Sequence, residues 1–102
     1  MTLIRSELIG FGHYLPAKVL TNDDMAKFVE TNDEWISTRT GIKSRLVAAE
    51  NEFTSDISLI AARNALKSAN ISVEDLDLII VATVTTDDTT PSTAAKISGK
   101  LG

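Results

Sequence analysis

Three residues of one short polar segment have the types and the spacing to hold a phosphorylated, aromatic ligand. The only tryptophan of the 102-residue chain, Trp35, stands four residues before Arg39 and four residues after Thr31. On a helix, side chains at positions i and i+4 lie one above another on the same face. An indole stacks on a purine, a guanidinium pairs with phosphate, and a hydroxyl hydrogen-bonds to a base or a ribose. The set therefore predicts a site for an adenine-bearing phosphorylated ligand.

The helix that must carry these side chains has recognisable ends in the sequence. Asn32 is a favourable N-cap residue, and Gly41 suits the left-handed residue that follows a last helical turn. Asp33 and Glu34 place negative charge in the first turn, where the helix dipole favours it. A lone tryptophan is usually a core residue. The rest of this segment is too polar for a buried helix, so an exposed position for Trp35 is the better interpretation.

The other patterns that suggest a site are better explained by ordinary structure. Gly10 and Gly12 do not begin a dinucleotide-binding motif, because Leu15 holds the third glycine position and Pro16 follows it. Adjacent acids at 23–24 and 87–88 are typical of solvated loops and of first helical turns rather than of metal sites.

The remaining polar residues give little support to catalysis or to metal binding. There is no cysteine, and the one histidine, His13, is expected to be an ordinary polar residue at the end of a strand. No histidine and cysteine cluster has zinc-ligand spacing. Ser92 and Ser98 have no neighbouring base in sequence that would activate them.

The hydrophobic periodicity predicts strands alternating with helices, which is the order of an α/β protein. Strands are expected at Leu3–Tyr14, Lys43–Ala48 and Leu78–Val84. Helices are expected from Thr21 to Val29, from Ser55 to Asn70 with Thr54 as its cap, at Ser72–Asp75, and from a Thr90 cap through Pro91 to Leu101, where Ala94, Ile97 and Leu101 face inward.

Two of these elements need more cover than a chain of this length supplies. Residues 78–84 form an almost unbroken run of branched apolar residues, which is typical of a strand buried on both faces of a parallel sheet. The helix at 55–70 is apolar around most of its circumference and needs partners on more than one side. We therefore expect a layered structure of which this chain is a part, with apolar surface left uncovered in the isolated chain.

The charge balance excludes some classes of partner. Ten basic and fourteen acidic residues give a net charge of −4, and no basic stripe alternates with aromatic residues, so nucleic acid is not an expected partner. Arg39, Lys43 and Arg45 form a local basic group that either attracts an acidic carrier or polyphosphate, or is a solvated rim. The chain has no secretory pattern and no apolar run of membrane length, which predicts a cytoplasmic protein with no membrane span.

The segment around Trp35 also resembles a known family. Residues 31–36 and 38–42 are similar to the N-terminal signature of the beta-ketoacyl-acyl-carrier-protein synthase III family. The similarity extends along essentially the whole chain, and the further matching elements are Gly10–Pro16, Arg45, Asp77–Thr83 and Pro91–Ser92.

The resemblance implies a fold and an activity. The fold would be the thiolase-like layered α/β fold, with residues 1–102 as the N-terminal part of its first half, incomplete on its own. The activity would be that of an acyltransferase that takes an acyl group from acyl-CoA onto a cysteine and condenses it with malonyl-acyl carrier protein. The enzyme would be a cytoplasmic homodimer that needs no cofactor beyond its coenzyme A thioester substrate.

The resemblance also implies which roles the chain holds and which it lacks. Family members use a cysteine, a histidine and an asparagine for catalysis; these are expected beyond Gly102, so the chain alone is expected to be inactive. Trp35 would stack on the adenine of coenzyme A, Arg39 would contact its phosphate or nearby polar groups, and Thr31 would hydrogen-bond at the base. Thr90 replaces a bulky apolar residue of some members, in the loop that approaches the partner's acyl pocket, so the primer length stays open.

Three alternatives remain open at the level of the sequence. The chain could be a coenzyme A-binding module without catalysis, or a purely structural fragment. It could also come from a relative with different condensing chemistry, such as a polyketide or quinolone synthase.

Overall fold

The computed structural model describes all 102 residues, which form two compact units, residues 15–52 and a second unit of residues 1–14 with 53–102. The first unit contains β1 (Lys18–Thr21), α1 (Asn22–Met25), α2 (Asp33–Thr40) and β2 (Ser44–Val47). The second unit contains α3 (Thr54–Ala69), a 3₁₀ turn (Val73–Asp75) and α4 (Thr93–Leu101). Strands and helices are mixed along the chain, as the sequence predicted.

A two-stranded antiparallel sheet supports the first unit. β1 pairs with β2 in a register that places Lys18 opposite Val47 and Thr21 opposite Ser44. β2 confirms the strand expected at 43–48, within its ends. β1 was not expected from the sequence.

The helix expected to reach Val29 is much shorter. Thr21 caps α1 with a reciprocal pair of hydrogen bonds, in which its hydroxyl accepts from Asp24 N (3.1 Å) and the Asp24 carboxylate accepts from Thr21 N (3.0 Å). The residues after Met25 form turns, and Phe28 and Val29 remain exposed. The prediction is wrong here because a short helix persists only where its apolar face finds a partner to pack against.

The caps of the two longer helices differ from those expected. The N-cap of α3 is Phe53, whose backbone N–H donates to the Asp56 carboxylate at 3.0 Å, while the Thr54 hydroxyl donates to the Thr85 carbonyl. The N-cap of α4 is Ser92, whose hydroxyl accepts from Ala95 N at 3.2 Å. Thr54 and Thr90 are therefore not caps, because in each case a neighbouring residue has the extended backbone that a cap requires.

Neither of the apolar segments expected as strands in the second unit forms one. Residues 3–14 and 78–84 have no ladder hydrogen bonds. Along 78–84 the side chains alternate: Leu78, Ile80, Ala82 and Val84 are exposed, whereas Ile79, Val81 and Thr83 are half-buried. One face of this segment therefore lies on the unit and the other is open. The expected burial on both faces is not observed, because the chain packs against only one face, and no strand is formed, because no neighbouring strand pairs with this segment.

Gly10 and Gly12 let the N-terminal segment approach α3 closely. A Cβ built on Gly12 would lie 2.2 Å from the Ala61 carbonyl oxygen, and one on Gly10 would lie 2.7 Å from the Ala69 Cβ. The two glycines thus serve close backbone packing rather than a phosphate-binding loop.

The chain leaves a large apolar surface uncovered. Ile97, on the face of α4 that packs against α3, is the only buried hydrophobic residue. The accessible surface is 8163 Å², whereas a compact folded protein of this mass exposes about 5,600 Å². This excess confirms the expectation that the isolated chain cannot bury its apolar residues.

Candidate functional site

Helix α2 begins and ends where the sequence predicted. The Asn32 side chain accepts a hydrogen bond from Trp35 N at 2.7 Å, which caps the first turn. Gly41 has a φ of 71° and its N–H donates to the Ser37 carbonyl at 2.8 Å, which closes the last turn. Both ends of the helix that carries Trp35 are therefore fixed by local chemistry.

Trp35 and Arg39 lie on the same face of α2 and touch. The guanidinium carbon of Arg39 lies 4.3 Å from the centroid of the Trp35 ring. The indole is 52% exposed, so the predicted open position is confirmed and a core role is excluded in this chain. Arg39 is exposed and makes no ion pair with a carboxylate. Its charge is thus available to an anion beside an aromatic surface.

Thr31 lies in a different position from the one expected. Because Asn32 is the cap, Thr31 precedes the helix and does not continue its face by one more turn. Its hydroxyl is buried and has no hydrogen-bond partner. An unpaired buried hydroxyl is unfavourable, so Thr31 has hydrogen-bonding capacity that the chain itself does not use.

In the local basic group, Arg39 alone has neither a hydrogen bond nor an ion pair, whereas Arg45 has hydrogen bonds to neutral groups and Lys43 has both kinds of contact. The guanidinium of Arg45 donates to the Asn22 side chain at 2.8 Å and to the Leu20 carbonyl at 3.3 Å. Lys43 lies 3.6 Å from the Asp33 carboxylate and donates to a serine hydroxyl of α2. The sequence left open whether this group attracts an anion or is a solvated rim. Arg39 is the residue of the group that remains available to an anion.

The first turn of α2 is tied to the neighbouring elements through Asp33. Its carboxylate accepts from the Asn22 amide at 2.8 Å and from the Ser37 hydroxyl at 2.9 Å. These hydrogen bonds, led by that of Asn22, hold the pKa of the Asp33 carboxyl below its usual value. The role of Asn22 was not predictable from sequence patterns, since its partners lie far along the chain.

The adjacent acids of the second unit serve structural contacts. Asp87 accepts from Ser55 N at 2.9 Å and lies 3.7 Å from Lys96, and the hydrogen bonding at Ser55 lowers the pKa of Asp87. Asp88 pairs with the same lysine. These contacts fix the loop before α4 against the start of α3. Asp88 is exposed, as expected of a solvated loop, but the side chain of Asp87 is only 7% exposed and is held by Ser55 and Lys96 instead of by water.

Asp24 and the backbone of His13 likewise serve structural contacts. Asp24 caps α1 and pairs with Lys27 at 2.8 Å. The backbone carbonyl of His13 accepts from the Asn64 side chain at 3.0 Å. No three His, Cys, Asp or Glu side chains gather in a group able to hold a metal ion. None of the helices has the length and apolar character required to cross a membrane.

Comparison with known proteins places the chain beside one group of enzymes. It is 54% identical over 99 residues to the beta-ketoacyl-acyl-carrier-protein synthase III of Rhodospirillum centenum, an alignment that covers 97% of the chain and 31% of that protein. The crystal structure of 3-oxoacyl-acyl-carrier-protein synthase III from Aquifex aeolicus VF5 matches with a TM-score of 0.87 and 53% identity, over 91% of the chain and 30% of that structure. No family model matches the chain.

A second solved structure is similar in fold at lower identity. The priming beta-ketosynthase of a polyketide biosynthetic pathway matches with a TM-score of 0.89 and 34% identity, over 93% of the chain and 28% of that structure. The fold is therefore part of the thiolase-like α/β fold of these synthases. The chain spans about a third of the length of the relatives it matches.

Proposed function

The chain is, over nearly its whole length, a relative of the beta-ketoacyl-acyl-carrier-protein synthases III, and from this premise we propose that it is the N-terminal segment of such an enzyme. The enzyme transfers an acyl group from the coenzyme A sulfur to a cysteine thiol. Malonyl-acyl carrier protein then loses carbon dioxide, its carbon attacks the acyl group, and the thiol leaves. The product is a 3-oxoacyl carrier protein. In this proposal the cysteine lies outside residues 1–102, which contain no cysteine, and the catalytic histidine and asparagine also lie outside them.

Within this enzyme, α2 holds the nucleotide end of the acyl-CoA primer. Trp35 stacks on the adenine, Arg39 neutralises a phosphate, and Thr31 hydrogen-bonds at the base. The observation that carries the assignment is the unpaired guanidinium of Arg39 lying on a half-exposed indole. Those two surfaces match the two chemical halves of a phosphorylated adenosine.

The adenine is remote from the thioester, so these residues act through binding rather than through chemistry. Binding energy from a non-reacting part of a substrate holds the reacting carbonyl in place and raises kcat/KM. Loss of Trp35 or Arg39 is therefore expected to affect substrates with a nucleotide and to spare substrates without one.

The remaining properties follow from the same proposal. The enzyme works as a homodimer in the cytoplasm and takes acyl-CoA and malonyl-acyl carrier protein as substrates, with no metal and no bound cofactor. Residues 1–102 form part of the first half of its thiolase-like domain. The open face of residues 78–84 supports this arrangement, because an extended segment that is apolar on both sides requires further cover.

Calorimetric titration of the complete protein tests the binding assignment. Coenzyme A is expected to bind at least about tenfold more tightly than pantetheine, which lacks the nucleotide. Trp35→Ala is expected to remove most of that difference. Equal affinities for the two ligands in the unchanged protein would rule out the nucleotide site on α2.

Mass spectrometry of the complete protein tests the catalytic assignment. Incubation with short acyl-CoA primers is expected to give an acyl adduct on a cysteine outside this chain, and addition of malonyl-acyl carrier protein should then give a 3-oxoacyl product. Binding of coenzyme A without an adduct would instead support a non-catalytic coenzyme-binding module.

Priming of a polyketide pathway is the second candidate, because the TM-score to the priming ketosynthase is 0.89. Identity favours the fatty acid enzyme, at 54% against 34%. The two are separated by offering the complete protein malonyl groups on a fatty acid carrier and on a polyketide carrier. Preference for the polyketide carrier would reverse the order of the candidates.

A further inference from the structure

Asn22 lies at the junction of the elements that surround α2. It is only 1% exposed. Its side-chain N–H groups donate to the Asp33 carboxylate and to the Ile42 carbonyl, each at 2.8 Å, and its side-chain oxygen accepts from Arg45 at 2.8 Å. Both N–H donors of this amide and its oxygen therefore have a partner.

These contacts fix α2 at both of its ends. Asp33 is the first residue of the helix, and Ile42 follows the glycine that closes it. Arg45 belongs to β2, so the same amide joins the helix to the sheet. One buried side chain thus sets the position and rotation of α2 in its unit.

Apolar packing does little to set that position. No residue of α2 is fully buried. The face that carries Trp35 and Arg39 points to an exposed surface, and the polar contacts of Asn22 are the ones that reach both ends. A helix held in this way depends on its hydrogen bonds for orientation, and a buried polar hub costs more when it is left partly unpaired.

We infer that Asn22 is a positioning residue for the nucleotide site. It holds the helix face that carries Trp35 and Arg39 in the orientation that binds the adenosine phosphate end of the substrate. This inference rests on the proposed function. Asn22 does not touch the ligand itself. Its loss lets α2 shift, which separates the indole and the guanidinium from the adenine and the phosphate that they contact together.

Kinetics of the complete synthase with two substrates test this role. Asn22→Ala is expected to lower kcat/KM for acyl-CoA about tenfold, mainly through KM. With acyl-pantetheine, which has the same thioester but no nucleotide, the change is expected to stay within about twofold. An equal loss with both substrates would overturn the inference, since general damage to the fold does not distinguish them.

Two further variants separate the inference from its premise. Trp35→Ala must show the same selective loss on acyl-CoA; if it does and Asn22→Ala does not, the positioning role is overturned while the site stands. If Trp35→Ala shows no selective loss, the proposed nucleotide site fails first. Ile97→Ala, in the other unit, is the control for lost stability and is expected to show no selectivity between the substrates.

If Asn22→Ala does not fold, variants that exchange the donor at position 22 with the acceptor at position 33 provide a second test. Asn22→Asp places a carboxylate against that of Asp33, with Arg45 and Lys43 as the cations facing the pair. The variant is expected to lose kcat/KM for acyl-CoA but not for acyl-pantetheine. Part of this loss should be recovered as the pH falls and the carboxylate pair takes up a proton. Adding Asp33→Asn restores a donor and is expected to restore acyl-CoA turnover at neutral pH. Failure of both recoveries would overturn the inference.

Discussion

The guanidinium carbon of Arg39 lies 4.3 Å from the centroid of the Trp35 ring, one helical turn away along α2. A cation over an exposed indole is worth about 0.5–1 kcal/mol. The contact keeps the arginine beside the ring, although no carboxylate holds it there. The pair is therefore arranged before any ligand arrives, so less conformational entropy is lost when a ligand binds.

Replacing Trp35 removes the stacking surface. Trp35→Ala in the complete protein is expected to weaken coenzyme A binding by about 1 kcal/mol or somewhat more, which is roughly fivefold to tenfold. Trp35→Phe keeps an aromatic face and is expected to retain part of the affinity. Calorimetry measures both, and undiminished affinity in the alanine variant would remove the indole from the site.

Replacing Arg39 removes a charge contact that salt can screen. Arg39→Ala is expected to weaken coenzyme A binding more at low ionic strength than at high, because the screening length falls from roughly 30 Å to roughly 3 Å between 0.01 M and 1 M salt. Arg39→Gln, which keeps much of the side-chain length, serves as the control for packing. A loss that is the same at every salt concentration would show that Arg39 acts as a spacer and not as a charge.

The parts of this site that were predictable from the sequence are the local ones. Asn32 and Gly41 mark the ends of α2 because cap geometry depends on a few neighbouring residues. The pairing of Trp35 with Arg39 follows from helical spacing alone. Asn22 could not be predicted, since it acts through residues at least eleven positions away in sequence.

The same division holds for the fold. The composition of residues 78–84 indicates a strand. Ladder pairing needs neighbouring strands, however, and no strand of this chain pairs with the segment, which stays exposed on one face. β1 has only Val19 and Leu20 as apolar residues and exists because β2 pairs with it. Local propensity is too weak to predict a strand of that length.

The glycine at position 12 is expected to be essential for packing. Gly12→Ala would place a methyl group 2.2 Å from the Ala61 carbonyl oxygen and 2.3 Å from Ala65 N, so backbone must move. The expected cost is about 3 kcal/mol or more in the free energy of unfolding. Gly99→Ala, in α4, meets no atom within 4 Å outside its own helical turn and is the matched control, with an expected gain of roughly 0.5–1 kcal/mol. Thermal unfolding of the complete protein measures both, and equal midpoints would contradict the close contact with α3.

Acid is expected to loosen α2 through Asp33. Because its pKa is lowered in the folded state, the carboxylate contributes stability that is complete above its unfolded pKa of about 4 and is lost as the pH falls below that value. The thermal midpoint of the unchanged protein should exceed that of Asp33→Asn at neutral pH. The difference should shrink as the pH falls from about 5 towards 3.

Two variants identify which contacts set this pH dependence. The hydrogen bonds from Asn22 and Ser37 are the larger causes of the lowered pKa, and Lys43 is a smaller one. Lys43→Met is therefore expected to keep most of the pH-dependent difference, whereas Asn22→Ala is expected to remove a larger part of it, with the rest due to Ser37. If Lys43→Met removed the effect and Asn22→Ala preserved it, a solvent-exposed ion pair and not the buried amide would be what anchors the first turn of α2.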